Sequence, residues 1–180
     1  MEESNPLLKA AWVATEAFGK AFGKEKPFAA AEAPKSRLEL VRRIADDYAC
    51  VPPYFLGGER FDAGVYAEDC EFADPFVSFR GRDRFASNLG NLGSFITDAS
   101  ARALGDPEIT HEAYTQKFLV KLRLNLPWQP VLAWPWGVTH VFASSTKDQH
   151  LVVRHLEQWD VSPTEGLRQL ITHGKGKQVT

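Results

Sequence analysis

Hydrophobic and polar positions change their rhythm twice along this chain. Leu7, Leu8, Ala11, Trp12, Thr15, Phe18 and Phe22 recur at helical spacing beside Lys9, Lys20 and Lys24, which predicts an amphipathic helix followed by an alanine-rich linker from Pro27 to Pro34. Ser36 and Glu39 stand at capping-box spacing, and Leu38, Val41, Ala45 and Tyr48 behind them predict a helix with one apolar stripe. Pro52, Pro53, Gly57 and Gly58 interrupt the chain before a short helix around Phe61 to Tyr66. A strand follows from Asp69 to Asp74, on which Cys70, Phe72 and Asp74 share one face. Phe85, Leu89, Leu92 and Ile96 then mark a second helix, with Gly90 and Gly93 allowing close packing.

From Tyr114 to Leu126 the period becomes two. Tyr114, Gln116, Phe118, Val120, Leu122 and Leu124 alternate with Thr115, Lys117, Lys121 and Arg123, as on a sheet with one wet face. Gly137 to Ser144 and Leu151 to Val161 form two further strands, joined as a hairpin through Ser145 to Asp148. Helices first and sheet second is the order of an α+β domain. The division is an N-terminal helix and linker over residues 1–33, one domain over 34–162, and a C-terminal tail over 163–180.

Composition narrows what such a domain does. A chain of 180 residues has room for one self-supporting core. Its 21 basic and 23 acidic side chains offer no broad attraction to nucleic acid or anionic lipid. Cys50 and Cys70 make no CxxC pair, and the five histidines show no HxH or HExxH spacing, so no metal is expected. Neither a phosphate-binding glycine loop nor a serine elbow occurs, and no cofactor is expected. The most apolar stretch, Val131 to Ala143, is interrupted by Pro135, Gly137 and His140, and Met1-Glu2-Glu3 opens no secretory core. A soluble protein is the expectation from these features, with a cytoplasmic location as the default where nothing else directs it.

Candidate chemistry clusters late in the chain. His155, Glu157 and Trp159 occupy one face of the last strand, with His140 across the hairpin. An imidazole beside a carboxylate beside an indole orients a polar ligand or relays a proton, or else forms a satisfied polar patch within a sheet. Trp128, Trp134 and Trp136 crowd around Pro127, Pro130 and Pro135 and serve either as walls for a flat apolar ligand or as core filler.

Tyr66 to Pro75 followed by Phe79-Arg80-Gly81, then Leu126-Pro127-Trp128-Gln129-Pro130, then Val153 to Ser162, together resemble the nuclear transport factor 2 (SnoaL-like) superfamily. More narrowly they are similar to a plant, algal and cyanobacterial branch of that superfamily, which carries a plastid (stromal) location as its implication. The resemblance covers Ser36 to Ser162 and implies a cone in which a strongly curved, mainly antiparallel sheet wraps around a long helix. It implies roles ranging from isomerase, cyclase and dehydratase to binder or assembly factor. Tyr66 to Pro75 resembles the strand carrying the general base of ketosteroid isomerase, which makes Asp74 the candidate base. Against that, Asp-Pro is a common turn opener, and the isomerase's tyrosine and acidic oxyanion partners have no clear match.

The resulting expectation is a small, largely apolar molecule in a cone-shaped pocket. Asp74 is the base, with Tyr48, Tyr114 and His155 as donors. Phe72, Phe118, Val120, Leu122, Trp134, Trp136, His140, Glu157 and Trp159 form the walls. The amphipathic segment at 6–22 is expected to bury Trp12 and Phe18 against protein, on this domain or on a second copy in a homodimer, rather than in a membrane. Liposome flotation checks this: full-length chain and a chain lacking residues 1–33 should both stay unbound, and flotation of the full chain alone would reverse the assignment.

Overall fold

Ser36 starts the first helix as its spacing predicts. Its backbone is extended and its hydroxyl accepts the Glu39 N–H at 3.1 Å, while the Glu39 carboxylate takes the Lys35 N–H at 2.9 Å. The computed structural model describes residues 32–174 apart from 51, 52, 57–60, 76 and 145–149, together with residues 176 and 179. The expected helix at 6–22, the Gly57-Gly58 break and the turn at 145–148 lie outside the described residues.

Helix α1 (Arg37–Ala49) buries Leu40, Ile44, Asp47 and Tyr48, whereas Leu38 is 80% exposed. The buried stripe is therefore rotated from the expected one. Arg43 sets the rotation by gripping Asp62 with two short bonds, 2.6 and 2.7 Å, which turns Leu40 and Ile44 inward. After single 3₁₀ turns at Tyr54–Leu56 and Ala63–Val65 come β1 (Tyr66–Ala73), β2 (Ser78–Arg80) and α2 (Arg82–Phe95). Then follow β3 (Ile96–Ala103), β4 (Glu108–Ile109), β5 (Ala113–Leu124), β6 (Val131–Phe142), β7 (Val152–Trp159) and α3 (Pro163–Ile171).

Among the described residues the strands form one sheet ordered β2-β1-β7-β6-β5-β3, with β4 on β5. β1 and β7 run parallel and the other pairs antiparallel. Register shifts in β1, β3 and at the end of β6 bend the strands, as bulges do, so that the sheet curls over α2. This is the α+β cone that the resemblance implies. The alternation along β5 holds, with Tyr114, Gln116, Phe118, Val120 and Leu124 buried. Among the described residues no helix is long and apolar enough to cross a membrane.

Three strands went unforeseen. Ile96, expected to close the second helix, opens β3, a strand too rich in alanine and serine to advertise itself. β2 and β4 are only a few residues long. Gly90, expected to permit close packing, faces open space, since a Cβ there would meet nothing within 4 Å.

The segment set apart as a tail contains α3, capped by Ser162 through the Glu165 N–H at 3.2 Å. Gln169 docks it on β6: its Oε1 accepts the Ala133 N–H at 2.7 Å and its Nε2 donates to the Ala133 carbonyl at 3.1 Å. Trp128 adds an indole N–H to the Leu170 carbonyl at 2.7 Å. The chain then crosses the β5–β6 turn at Gly174, whose N–H donates to Trp128 at 3.0 Å.

Asp47 is the one buried carboxyl of α1. Burial first, and then Asp62, push its pKa up from the ordinary 3.8 to about 8, against the Asp62 N–H that favours its ionised form. The folded state therefore holds a proton that the unfolded chain has lost between these values. Asp47's contribution is fully present below about pH 4 and is lost as pH rises through about 8. Urea unfolding at pH 7, 7.5 and 8, above the range in which unfolding lets His140 take up a proton, should show native stability falling by on the order of 1 kcal/mol per pH unit. Asp47→Asn should flatten that slope, and parallel slopes in the two proteins would refute it.

At Gly174 a Cβ would collide with the Gln129 carbonyl oxygen and stand 2.9 Å from the Val131 nitrogen. Gly174→Ala should accordingly lower stability by about 1–3 kcal/mol, the usual cost of overpacking. An unchanged thermal midpoint would mean that this crossing is not held closely.

Candidate functional site

Between α2 and the concave face of β1, β7, β6 and β5 lies a cavity of about 160 Å³. α2 presents Phe85, Asn88, Leu89 and Leu92 to it, a stripe at helical spacing. The strands contribute by alternation: Phe72 from β1, Val120 and Leu122 from β5, Trp134 and Trp136 from β6, and His155, Glu157 and Trp159 from β7. Asp74 and Phe79 complete the mouth near the β1–β2 turn. Stacking of Phe72 on Phe85, with centroids 3.8 Å apart, ties helix to sheet at its floor.

Glu157 is the best-anchored polar group of the wall. Its Oε2 accepts the indole N–H of Trp136 at 3.0 Å and of Trp159 at 2.8 Å, and its Oε1 lies 3.4 Å from Nε2 of His155. Trp134, next along β6, is buried with an indole N–H that has no hydrogen-bond partner among the described residues. Asp74 differs: its Oδ1 accepts the Val77 N–H at 2.9 Å, and its own N–H donates to the Val77 carbonyl at 3.0 Å. That reciprocal pair fixes the turn at Pro75 and orients the carboxylate.

Behind the wall runs a buried polar chain. The Tyr66 hydroxyl lies 3.3 Å from both Nδ1 of His155 and Nε2 of His140, and the Tyr48 hydroxyl lies 3.4 Å from His140 and 3.5 Å from the Tyr54 hydroxyl. Burial holds His140 well below its ordinary pKa, with His155 adding to the effect, so its imidazole is neutral. Burial likewise pushes Tyr48, Tyr54 and Tyr66 well above theirs, so all three stay protonated. Tyr66 has one proton and two imidazole neighbours, so one imidazole must donate to its oxygen. Where Tyr66 donates to Nδ1 of His155, Nε2–H of His155 faces Glu157 and Nε2–H of the neutral His140 donates to Tyr66.

The structure separates the expected site residues into two groups. Phe72, Asp74, Val120, Leu122, Trp134, Trp136, His155, Glu157 and Trp159 line the cavity. Tyr48, Tyr114 and Phe118 instead line a separate groove between α1 and β3–β5, and His140 is wholly buried behind the wall. Strand alternation assigns a face but not a level along the cone. Tyr48 stacks on Phe118 at 4.7 Å and fills the cone there, which keeps Tyr114 and Phe118 away from Asp74. Tyr48 and Tyr114 are thus corrected from donors at the cavity to groups outside it. Tyr66, Tyr54, Phe79 and Asn88 were not foreseen. Only Tyr66 left a signal: it stands at even spacing from the inward-facing Cys70 and Phe72 of β1.

A curved sheet closed by helices around an aromatic cavity defines a nuclear transport factor 2-like fold. No protein-family model matches the chain, and no curated protein does. Solved structures do match. A putative polyketide cyclase from Xanthomonas campestris is similar at 15% identity, with 74% of this chain and 98% of that one covered and a TM-score of 0.56. A nuclear transport factor 2-like protein of unknown function from Burkholderia pseudomallei is similar at 11% identity, with 74% and 98% covered and a TM-score of 0.55. A protein with a ketosteroid isomerase-like fold from Catenulispora acidiphila, solved in complex with trimethylamine, is similar at 12% identity, with 74% and 93% covered and a TM-score of 0.52. At these identities the likeness is one of fold, and it singles out no branch.

Proposed function

We propose that this protein binds a small, largely apolar molecule in the cavity and moves a proton on it without a cofactor, as in isomerisation, cyclisation or dehydration. The observation that carries this reading is an aromatic cavity whose wall holds two carboxylates, Asp74 and Glu157. Asp74, oriented by Val77, is the base that accepts a proton from an acidic C–H or O–H. Glu157, backed by His155, Tyr66 and His140, is the group through which a proton is returned. A second reading, a binder without catalysis, has its own support, because Asp74 already serves the turn at Pro75.

Native mass spectrometry of protein purified from its source identifies a retained molecule. Incubating that molecule with the protein in D₂O should then incorporate deuterium. Asp74→Asn should slow the incorporation on the order of a hundredfold or more with folding intact. A retained molecule that gains no deuterium, together with Asp74→Asn losing only thermal stability, would establish the binder.

A further inference from the structure

Helix α2 carries an amide on its apolar stripe. Of the four side chains it turns to the cavity, Phe85, Asn88, Leu89 and Leu92, Asn88 is the polar one. An asparagine inside a helix ordinarily turns to water or bonds the carbonyl one turn back. The Asn88 amide makes no hydrogen bond to Arg84 or to any other described residue, and its nitrogen and oxygen are not among the fully covered polar atoms. It stands half-buried at the cavity with its hydrogen-bonding capacity unused.

The other polar side chains of the wall are engaged or covered. Glu157 takes the indole N–H groups of Trp136 and Trp159. Both ring nitrogens of His155 face partners, Tyr66 and Glu157, and the Tyr54 hydroxyl meets that of Tyr48. The indole N–H of Trp134 is covered. Asp74 and Glu157 offer acceptors, so among the described lining side chains the donor still open to a guest is the Asn88 N–H.

An open donor in an aromatic wall selects a guest with an acceptor, because a guest without one strips the amide of water and leaves it unpaired. Resting on the reading of the cavity as a site of proton transfer, we propose that its ligand is a carbonyl compound, a ketone or enone on an apolar body, whose oxygen accepts the Asn88 N–H. The acidic C–H beside that carbonyl gives its proton to Asp74. The C–H electron pair becomes the C=C bond of an enolate, and the carbonyl π pair moves onto the oxygen that Asn88 holds. Return of a proton to carbon restores the carbonyl. Asn88 thus supplies the donor that Tyr48 and Tyr114, outside the cavity, do not.

Two probes of matched shape test this on the full chain: acetophenone and α-methylstyrene, which differ by C=O against C=CH₂. Asn88→Leu keeps the side-chain size and should weaken acetophenone about fivefold or more relative to α-methylstyrene, by calorimetry or tryptophan fluorescence. Asn88→Asp keeps the shape, loses the donor and should act in the same sense. Binding of α-methylstyrene reports that each variant retains its cavity. Acetophenone labelled with ¹³C at the carbonyl needs no variant: bound to the native chain, its carbon should resonate downfield of its position in cyclohexane, since a hydrogen bond deshields it, and should move back in Asn88→Leu. Equal losses for the two probes, a bound resonance at the cyclohexane position, or a downfield resonance indifferent to Asn88→Leu would overturn the inference while the cavity remains a ligand site. Failure of both probes to bind the native chain would remove the ligand-site reading as well.

Discussion

Everything at the centre of this molecule depends on the register that places β7 between β1 and β6. Phe72 lies opposite His155 and His155 opposite His140, while Trp136 faces Trp159. The two imidazoles, each at most 1% exposed, share the Tyr66 hydroxyl through Nε2 of His140 and Nδ1 of His155, and Nε2 of His140 also reaches Tyr48. The same register lets both indoles reach one oxygen of Glu157. A slip by one residue would turn His155 and Glu157 to the convex side and leave the tyrosines unpaired.

The interior of the cone is thereby divided by charge. At the level of Tyr48, Tyr54, Tyr66 and His140 every titratable group is held in its neutral form by burial, and the space is filled with rings. At the level of α2 the space opens, and the carboxylates stand at its edge. A neutral, hydrogen-bonded plug supports a cavity without itself demanding water. Cys70 belongs to the same dry region, where burial pushes its thiol up to about 12 and leaves it unreactive.

Much of this was legible in the sequence where one local rule dominates. The Ser36 cap, the alternation of β5, and the shared face of His155, Glu157 and Trp159 each follow from spacing alone. Legibility failed where a distant partner decides. The rotation of α1 depends on Asp62, and the exclusion of Tyr114 from the cavity depends on Tyr48 filling the cone at that level. β3 is a strand because β5 offers it an edge, not because Ala99, Ser100 and Ala101 prefer the conformation. Asp74 showed both of its faces from the start, since the pattern that aims it inward is also a turn opener.

The amide of Gln169 answers a different need. β7 ends at Trp159 and Asp160 adds one more bond to Pro135, so the next N–H and C=O along β6, those of Ala133, have no strand beside them among the described residues. Gln169 meets both with a single side chain, in effect a one-residue counterfeit of a neighbouring strand. An open rung beside a buried sheet is the place where a foreign extended segment would enlist itself and begin a chain-to-chain ladder. With Gln169 in place the ladder stops within the molecule. The helix that carries it thus covers a sheet edge as well as packing on β6.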